Sequence, residues 1–427
     1  MKTYRLSTIA PEEQRTLLSR SLHASAETEL AVRALCLDVK QNGDAAVRAC
    51  TEKFDGVRIE SFRVPESHLD EALARLAPDL RTALEQAASN IRSFHAKQLR
   101  DPEEVETLPG VMCRRERRPI ARVGLYVPAG SAPLPSTVLM LGIPALLAAC
   151  PSIALCAPPQ KDGSIEPTIL AAARLIGIRE IYRVGGAQAI AALAYGTESI
   201  AKTDKIFGPG NRFVAAAKQF VSTDPDGAAI DMLAGPSELL VLADDSADPS
   251  FVAADLLSQA EHDPDARVVL VTTSESLGKR VSDLVETALA RLPRRITAAR
   301  ALAGSSIVLA DSEQDAVAFS NAYAPEHLSI QMKRAESITA AITSAGSVFV
   351  GPWSPVTAGD YASGTNHTLP TGGTARNSSG VSVEMFQKTI TFQRLTREGL
   401  RALSPTLVTL ARAEGLDAHA RAVEVRL

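Results

Sequence analysis

The sequence predicts an α/β protein with two parallel-sheet domains, and two observations carry that prediction. From about residue 119, β-branched apolar runs alternate with alanine- and leucine-rich stretches of helical length. Strands covered by helices on both faces read as continuous apolar runs of this kind, whereas half-exposed strands alternate. A second such set begins near residue 238. The chain has 427 residues, 45% of them apolar, too long for one ordinary domain and apolar enough for two or three.

The elements follow in order. Residues 1 to about 110 carry Ala, Leu, Glu and Arg at helical spacing, as in PDLRTALEQAASNIRSFHAKQL, and predict a mainly helical start. IARVGLYV reads as a strand, STVLMLGIPALLAAC as a helix, SIALCAPP as a strand and PTILAAARLIG as a helix. REIYRV, AQAIAALAYG, DKIF and NRFVAAAKQFV continue the alternation. The second set runs through ELLVLAD, FVAADLLSQAEH, RVVLVTT, SLGKRVSDLVETALARL, SSIVLAD, HLSIQM and SVFVG, with no sequence repeat between the sets. After Gly351 the chain turns glycine-rich and polar, then ends in a mostly helical tail, LSPTLVTLARAEGLDAHARAVEVRL, whose polarity points to packing on something else.

A net charge of -4 supplies no broad basic field, which argues against nucleic acid and anionic membrane and for a small-molecule substrate. The most apolar window is too short to cross a bilayer and contains Pro144, and MKTYRLSTIA lacks the apolar core of a signal peptide, so a cytoplasmic protein is expected. Cys36, Cys50, Cys113, Cys150 and Cys156 form no C-x-x-C pair and read as reduced packing residues. His23, His68 and His95 sit in amphipathic surroundings and read as surface or satisfied core residues. His262, His327, His367 and His419 fall in polar or glycine-bearing segments of the later half.

Three strand-to-helix loops carry glycine: VPAGSAP, VGGAQA and FGPGNR. Such loops lie at the carboxyl ends of parallel strands and present free backbone amides to a ligand, or they are simply tight turns. None is the dinucleotide fingerprint, since Gly208-Pro209-Gly210 is followed by Phe213 where a third small residue belongs. In SQAEHDPDA, Gln259 and His262 share a helix face. They are half of a metal site, or a C-terminal turn that Asp263-Pro264 stops. In NAYAPEHL, Glu326 and His327 are adjacent and serve one pocket only if Pro325 bends the chain; the alternative is an exposed acidic loop. SPVTAGDYASGTNHTLPTGGTAR, from Ser354 to Arg376, is too long for an idle loop and offers Asp360, Asn366 and His367. Glu414 and His419 lie on the tail, where each alone reads as solvated.

Together these segments carry a resemblance. GSAPLPSTVLMLGIPA, VGGAQAIAALAYGTESI, DKIFGPGN, AIDMLAGPSELLVLAD, DLLSQAEHDPDA, NAYAPEHL, GDYASGTNHTLPT and EGLDAHARAV, in order along essentially the whole chain, resemble the histidinol dehydrogenase family. The resemblance implies two Rossmann-like domains, one inserted in the other, with small terminal arms swapped across a homodimer. It divides the chain into an N-terminal arm (1–25), a discontinuous α/β domain (26–125 and 235–380) carrying most of the metal site and the catalytic pair, an inserted NAD-contacting domain (126–234) and a C-terminal arm (381–427).

The family's roles, carried onto matching positions, imply one zinc ion per chain held by Gln259, His262, Asp360 and His419. They make His327 the base for the alcohol proton and Glu326 the group that activates water. Ser237, His367 and Glu414 would join the zinc ligands and His327 around the substrate, and Tyr126, Gln188 and Asn211 would contact NAD. The implied reaction takes L-histidinol, two NAD and water to L-histidine through bound L-histidinaldehyde, with two successive hydride transfers. The chain departs from the family pattern at Val356, where Glu is usual, and at Asn377, where an aromatic is common. Those departures put fine substrate contacts in question. The competing readings are a related NAD-linked dehydrogenase of another amino-alcohol or diol, and a zinc hydrolase that uses Glu326 without NAD.

Overall fold

The computed structural model describes residues 1–20, 25–129, 133–233 and 235–427. His23, the centre of the VPAGSAP loop (130–132) and Ala234 lie outside the described residues. The chain opens with strand β1 (Lys2–Arg5) and helix α1 (Pro11–Leu18), followed by α2 (Ala26–Asp55), α3 (Glu66–Ala74) and α4 (Pro78–Ala96). α2 is two helices in line, broken where Gly43 takes φ +52° and ψ -130°. The break frees the Asp44 amide, which the Glu198 carboxylate accepts at 2.7 Å. Ser25 caps its start by accepting from the Thr28 amide, and Gly56 ends it in the left-handed region that glycine enters without strain.

The hairpin β2 (Glu103–Leu108) and β3 (Val111–Pro119) leads into the first parallel set: β4 (Arg122–Tyr126), α5 (Pro135–Leu147), β5 (Ser152–Ala157), α6 (Pro167–Ile176), β6 (Glu180–Arg183), α7 (Gly186–Tyr195), β7 (Lys205–Phe207), α8 (Arg212–Thr223) and β8 (Ala229–Ile230). Its five strands stand in the order β6-β5-β4-β7-β8. The second set is β9 (Glu238–Ala243), α9 (Pro249–Ala260), β10 (Arg267–Thr272), α10 (Glu275–Leu289), α11 (Arg295–Ala303), β11 (Ser306–Leu309), α12 (Glu313–Tyr323), β12 (His327–Gln331), α13 (Ala335–Ile338), β13 (Ser347–Val350) and α14 (Val356–Tyr361). Its sheet runs β1-β11-β10-β9-β12-β13, all parallel. Counted within each set, both sheets have the third, second, first, fourth and fifth strands side by side, so they repeat one architecture without a shared sequence. The order reverses beside β4 in one sheet and beside β9 in the other. The chain finishes with β14 (Gln387–Leu395), antiparallel to β3, then α15 (Arg397–Ala413) and α16 (Asp417–Glu424).

Three features differ from expectation. α2, α3 and α4 were grouped with residues 235–380, yet their apolar faces close the five-stranded sheet: Val32, Cys36 and Val47 meet Tyr126 and Ile190, while Leu69, Leu84 and Ile91 meet Leu125 and Leu139. An amphipathic helix declares which of its faces is buried but not which sheet buries it. Residues 2–5 form an edge strand of the six-stranded sheet, in register with β11. The stretch before residue 119 also holds the β2–β3 hairpin, whose exposed, charged strands lack the apolar run of a buried one. Val356 packs in the core against α9. Asn377 is exposed.

All five cysteines are unpaired, and burial pushes the Cys150 thiol up to about 11, which makes it a poor nucleophile. No helix among the described residues is long and apolar enough to cross a membrane.

Candidate active site

α12 ends at Ala324, a non-glycine residue held at φ +51°, and Pro325 follows. That reversal lets Glu326 and His327, neighbours in sequence, both address one residue of the adjacent strand. Glu238 opens β9, and its N–H and C=O point the same way, toward β12, as they do for any strand residue. Its amide donates to Glu326 Oε2 at 2.7 Å, and its carbonyl lies 3.1 Å from His327 Nδ1. Glu326 and His327 are both buried, with 3.5 Å between Oε2 and Nδ1. Gly346 follows the same contour, since a Cβ there would press on the Glu326 carbonyl.

The other ring nitrogen of His327, Nε2, faces Asp360 Oδ1 at 3.5 Å. Asp360 is carried by α14, which packs so closely on Phe349 that only glycine fits at Gly359. Burial would push its carboxyl up, but His327, His367 and His262 outweigh burial and hold it below the usual carboxylate range. Burial lowers the His327 imidazole; Glu326 and Asp360 together reverse this and raise it to about 10. Asp255 on α9, buried and raised to about 6 by that burial, faces the Val356 amide at the start of α14 and the Ser329 hydroxyl of β12.

His367 follows α14 in the loop that crosses to the five-stranded sheet. Its Nδ1 donates to the Asp360 backbone carbonyl at 2.7 Å, which leaves Nε2 to accept from the Thr137 hydroxyl of α5 at 3.2 Å. Desolvation lowers its pKa and keeps the ring neutral. The adjoining Asn366 is seated by a proline. Pro144 has no N–H to give the Met140 carbonyl four residues earlier, and the Asn366 amide supplies the missing donor at 2.6 Å. The loop thus ties the amino ends of β9 and β12 to the start of α5.

Across this seam stand the carboxyl ends of β4, β6 and β7. The Tyr126 hydroxyl accepts from the Gly186 amide at 3.1 Å, and burial pushes its pKa up to about 12. Gln188 is buried and donates to Asp55 at 3.3 Å. Gly208 takes φ +125°, where a Cβ would collide with the Tyr126 carbonyl. Its loop is stapled from beneath by Lys218, fully buried, which binds the Gly208 carbonyl at 2.9 Å and pairs with Asp231, while Asp231 accepts from the Gly208 amide at 2.8 Å. Asn211 caps α8, accepting from the Phe213 and Val214 amides.

The structure therefore brings together Glu326, His327, Asp360 and His367, with His262 near enough to act on Asp360; Gln259 lies on the last turn of α9, and Ser237 is placed only by preceding Glu238 in the chain. The glycine-bearing loops lie at the carboxyl ends of β4, β6 and β7 of the five-stranded sheet. The Glu326–His327 pair instead lies at the amino ends of the six-stranded one, at its own point of strand reversal. Glu414 and His419 stay apart: both are exposed, and α16 packs chiefly on α15. Among the described residues of one chain, no three His, Cys, Asp or Glu side chains are grouped to hold a metal. The donors fit a metal nonetheless, since Asp360 is anionic in spite of burial, His262 is among the imidazoles that act on it, and Gln259 lies one helical turn from His262. Sequence reasoning missed Glu238, Arg20, Thr137 and Asp255; a charged residue opening a strand as apolar as ELLVLA was the available signal for Glu238.

This fold is of the α/β class, with two parallel sheets of one strand order and a buried Glu–His pair at the amino ends of the larger sheet. The chain belongs to the histidinol dehydrogenase family, whose sequence pattern matches residues 18–427. A histidinol dehydrogenase of Aliivibrio fischeri is 53% identical over 428 aligned positions, covering 100% of this chain and 97% of that protein. One from Xanthomonas campestris pv. campestris is 50% identical, covering 100% and 99%. The crystal structure of histidinol dehydrogenase from Elizabethkingia anophelis superposes with a TM-score of 0.95 at 50% identity, covering 100% of this chain and 98% of that one.

Proposed function

We propose that the protein oxidises L-histidinol to L-histidine, reducing two NAD in successive hydride transfers while L-histidinaldehyde stays bound. The observation that carries this reading is the contact of His327 with Glu238. With Nδ1 committed to the Glu238 carbonyl, Nε2 is the nitrogen at which the ring gains and loses its proton, and it takes the alcohol proton when the ring is in its neutral form, against the pull of Glu326 and Asp360 toward the charged one. Glu326, fixed by the Glu238 amide, is the carboxylate that activates water for addition to the aldehyde. In the hydration Glu326 takes a proton from water and His327 returns the alcohol proton to the aldehyde oxygen, so the ring is free to accept a second proton as the hydrated aldehyde loses its second hydride to NAD. Keeping the aldehyde in the cleft prevents its escape between steps.

Gln259, His262 and Asp360 would hold a zinc ion, with His419 as the fourth ligand. Bound zinc supplies a template for the substrate's imidazole and amino nitrogens, and a positive charge that offsets the pull of Asp360 on the His327 proton. Ser237 and His367 line the same cleft, and Tyr126, Gln188 and Asn211, on the loops opposite, contact NAD.

The tail completes the site of a second copy in a homodimer, bringing Glu414 and His419 to it. The exposure of Glu414 and His419, together with the exposed Leu410 of α15 and Leu416 and Val425 at the two ends of α16, supports this reading. Purified protein given histidinol and NAD should yield NADH and histidine. Turnover that needs no NAD would favour a hydrolase, and NADH formation only with other amino-alcohols or diols would favour a related dehydrogenase.

A further inference from the structure

We propose that Arg20 and Glu238 are positioning residues, a buried brace that sets the geometry of the Glu326–His327 pair; the inference rests on the catalytic roles given above to that pair. Glu238 holds both partners through its own backbone, so the placement of its peptide groups decides where the carboxylate and the imidazole point. What fixes Glu238 is its side chain, 4% exposed. Oε1 accepts from Arg20 Nε at 2.6 Å and from the Gly372 amide at 3.1 Å, and Oε2 accepts from Arg20 Nη2 at 3.2 Å.

Arg20 reaches further. The same Nη2 donates to the Tyr323 carbonyl at 2.6 Å, and the guanidinium lies over the Tyr323 ring, 3.5 Å from its centre. Tyr323 and Ala324 are the residues that turn the chain into Pro325, Glu326 and His327. One guanidinium therefore ties the start of β9, the approach to β12 and, through Glu238, the loop that follows His367. Only the planar fork of arginine satisfies both carboxylate oxygens and a third acceptor together; a lysine ammonium has the charge without the fork.

A buried ion pair is a weak way to gain stability, because desolvation offsets most of the attraction and an apolar pair of similar volume does as well. Its use beside the reacting groups, from a residue more than two hundred positions away in sequence, points to geometry as its function. A displacement of about 1 Å at a catalytic group can cost on the order of 10²-fold in rate.

The test compares Arg20→Met, Arg20→Lys and Glu238→Gln with wild type and with His327→Asn, measuring kcat, KM for histidinol, KM for NAD and thermal midpoint on the intact oligomer. The expected result is a kcat lower by about 10- to 10²-fold in Arg20→Met and Glu238→Gln, with both KM values within about twofold. Arg20→Lys should recover no more than a minor part of the loss, and a variant carrying both Arg20→Met and Glu238→Gln should be no worse than the poorer single one. If Arg20→Met does not fold, Arg20→Lys and Glu238→Gln carry the test alone. Folded variants with wild-type kcat, or with raised KM and unchanged kcat, would overturn the brace. An active His327→Asn would instead overturn the catalytic reading on which it rests.

Discussion

His327 Nδ1 stands 3.1 Å from the backbone carbonyl of Glu238, and this contact selects the tautomer of the ring. A carbonyl only accepts, so the proton sits on Nδ1, and Nε2 is left facing Asp360 across 3.5 Å. The selection is made by a strand residue whose own side chain is locked elsewhere.

His327→Asn retains a donor for the Glu238 carbonyl while removing the acceptor nitrogen. Its kcat should fall by roughly 10²–10⁴-fold, the range for a positioned acid or base, in a protein whose urea midpoint is little changed. Steady-state kinetics with parallel equilibrium unfolding checks both halves. A fall in stability large enough to explain the rate would show that the ring is a packing residue.

His262→Asn and Asp360→Asn should each purify with little divalent metal, whereas His95→Asn should keep its metal and lose stability. His95 is 1% exposed, bonded to Gln98 at 3.0 Å and lowered in pKa by burial, which makes it a core residue. Elemental analysis separates the outcomes. Full metal content in both His262→Asn and Asp360→Asn would remove them as ligands.

If the tail serves a second copy, His262→Asn chains co-refolded with His419→Asn chains should regain activity in mixed dimers. A statistical mixture gives up to one intact site per heterodimer. Absence of recovery in verified heterodimers would mean that each tail serves its own chain.

Asp55 offers a pH test. Burial raises its carboxyl to about 6, so the folded chain holds this proton more tightly than the unfolded one. The stability it contributes is full below the ordinary carboxylate value and is lost as pH rises through about 6. Asp55→Asn keeps an acceptor for Gln188 and removes the charge. The variant should therefore be more stable than wild type at pH 8, by about 1 kcal/mol once solvent screening of this half-buried group is allowed for, with a smaller gain at pH 5. Urea unfolding of cofactor-free protein at both pH values measures the difference, and an equal gain at the two would contradict the assignment.

The strands and helices of both parallel sets were legible because a strand such as ELLVLA, buried along its whole length, can only be written in apolar residues. The partnership of α2, α3 and α4 with the five-stranded sheet was not, since their apolar stripes would fit either sheet. Glu326, His327 and Asp360 were legible as chemistry but not as geometry: the amino-end location of the pair depends on a left-handed alanine at Ala324, a conformation its residue type does not advertise. Glu238 carried a signal in its place at the head of an apolar strand, but Arg20 was invisible because a lone charge in a sequence resembles any surface charge until its partner, far along the chain, is folded against it.

The division of labour between the two oxidations is open to a direct measurement: NADH counted per active site in a single turnover of histidinol, for wild type and Glu326→Gln. The account predicts two NADH per site in wild type, and in Glu326→Gln a first NADH formed at near the normal rate followed by a strongly slowed second, because only the second oxidation needs activated water. A wild-type count that stops at one, or a Glu326→Gln protein in which the first hydride transfer is slowed as much as the second, would contradict it.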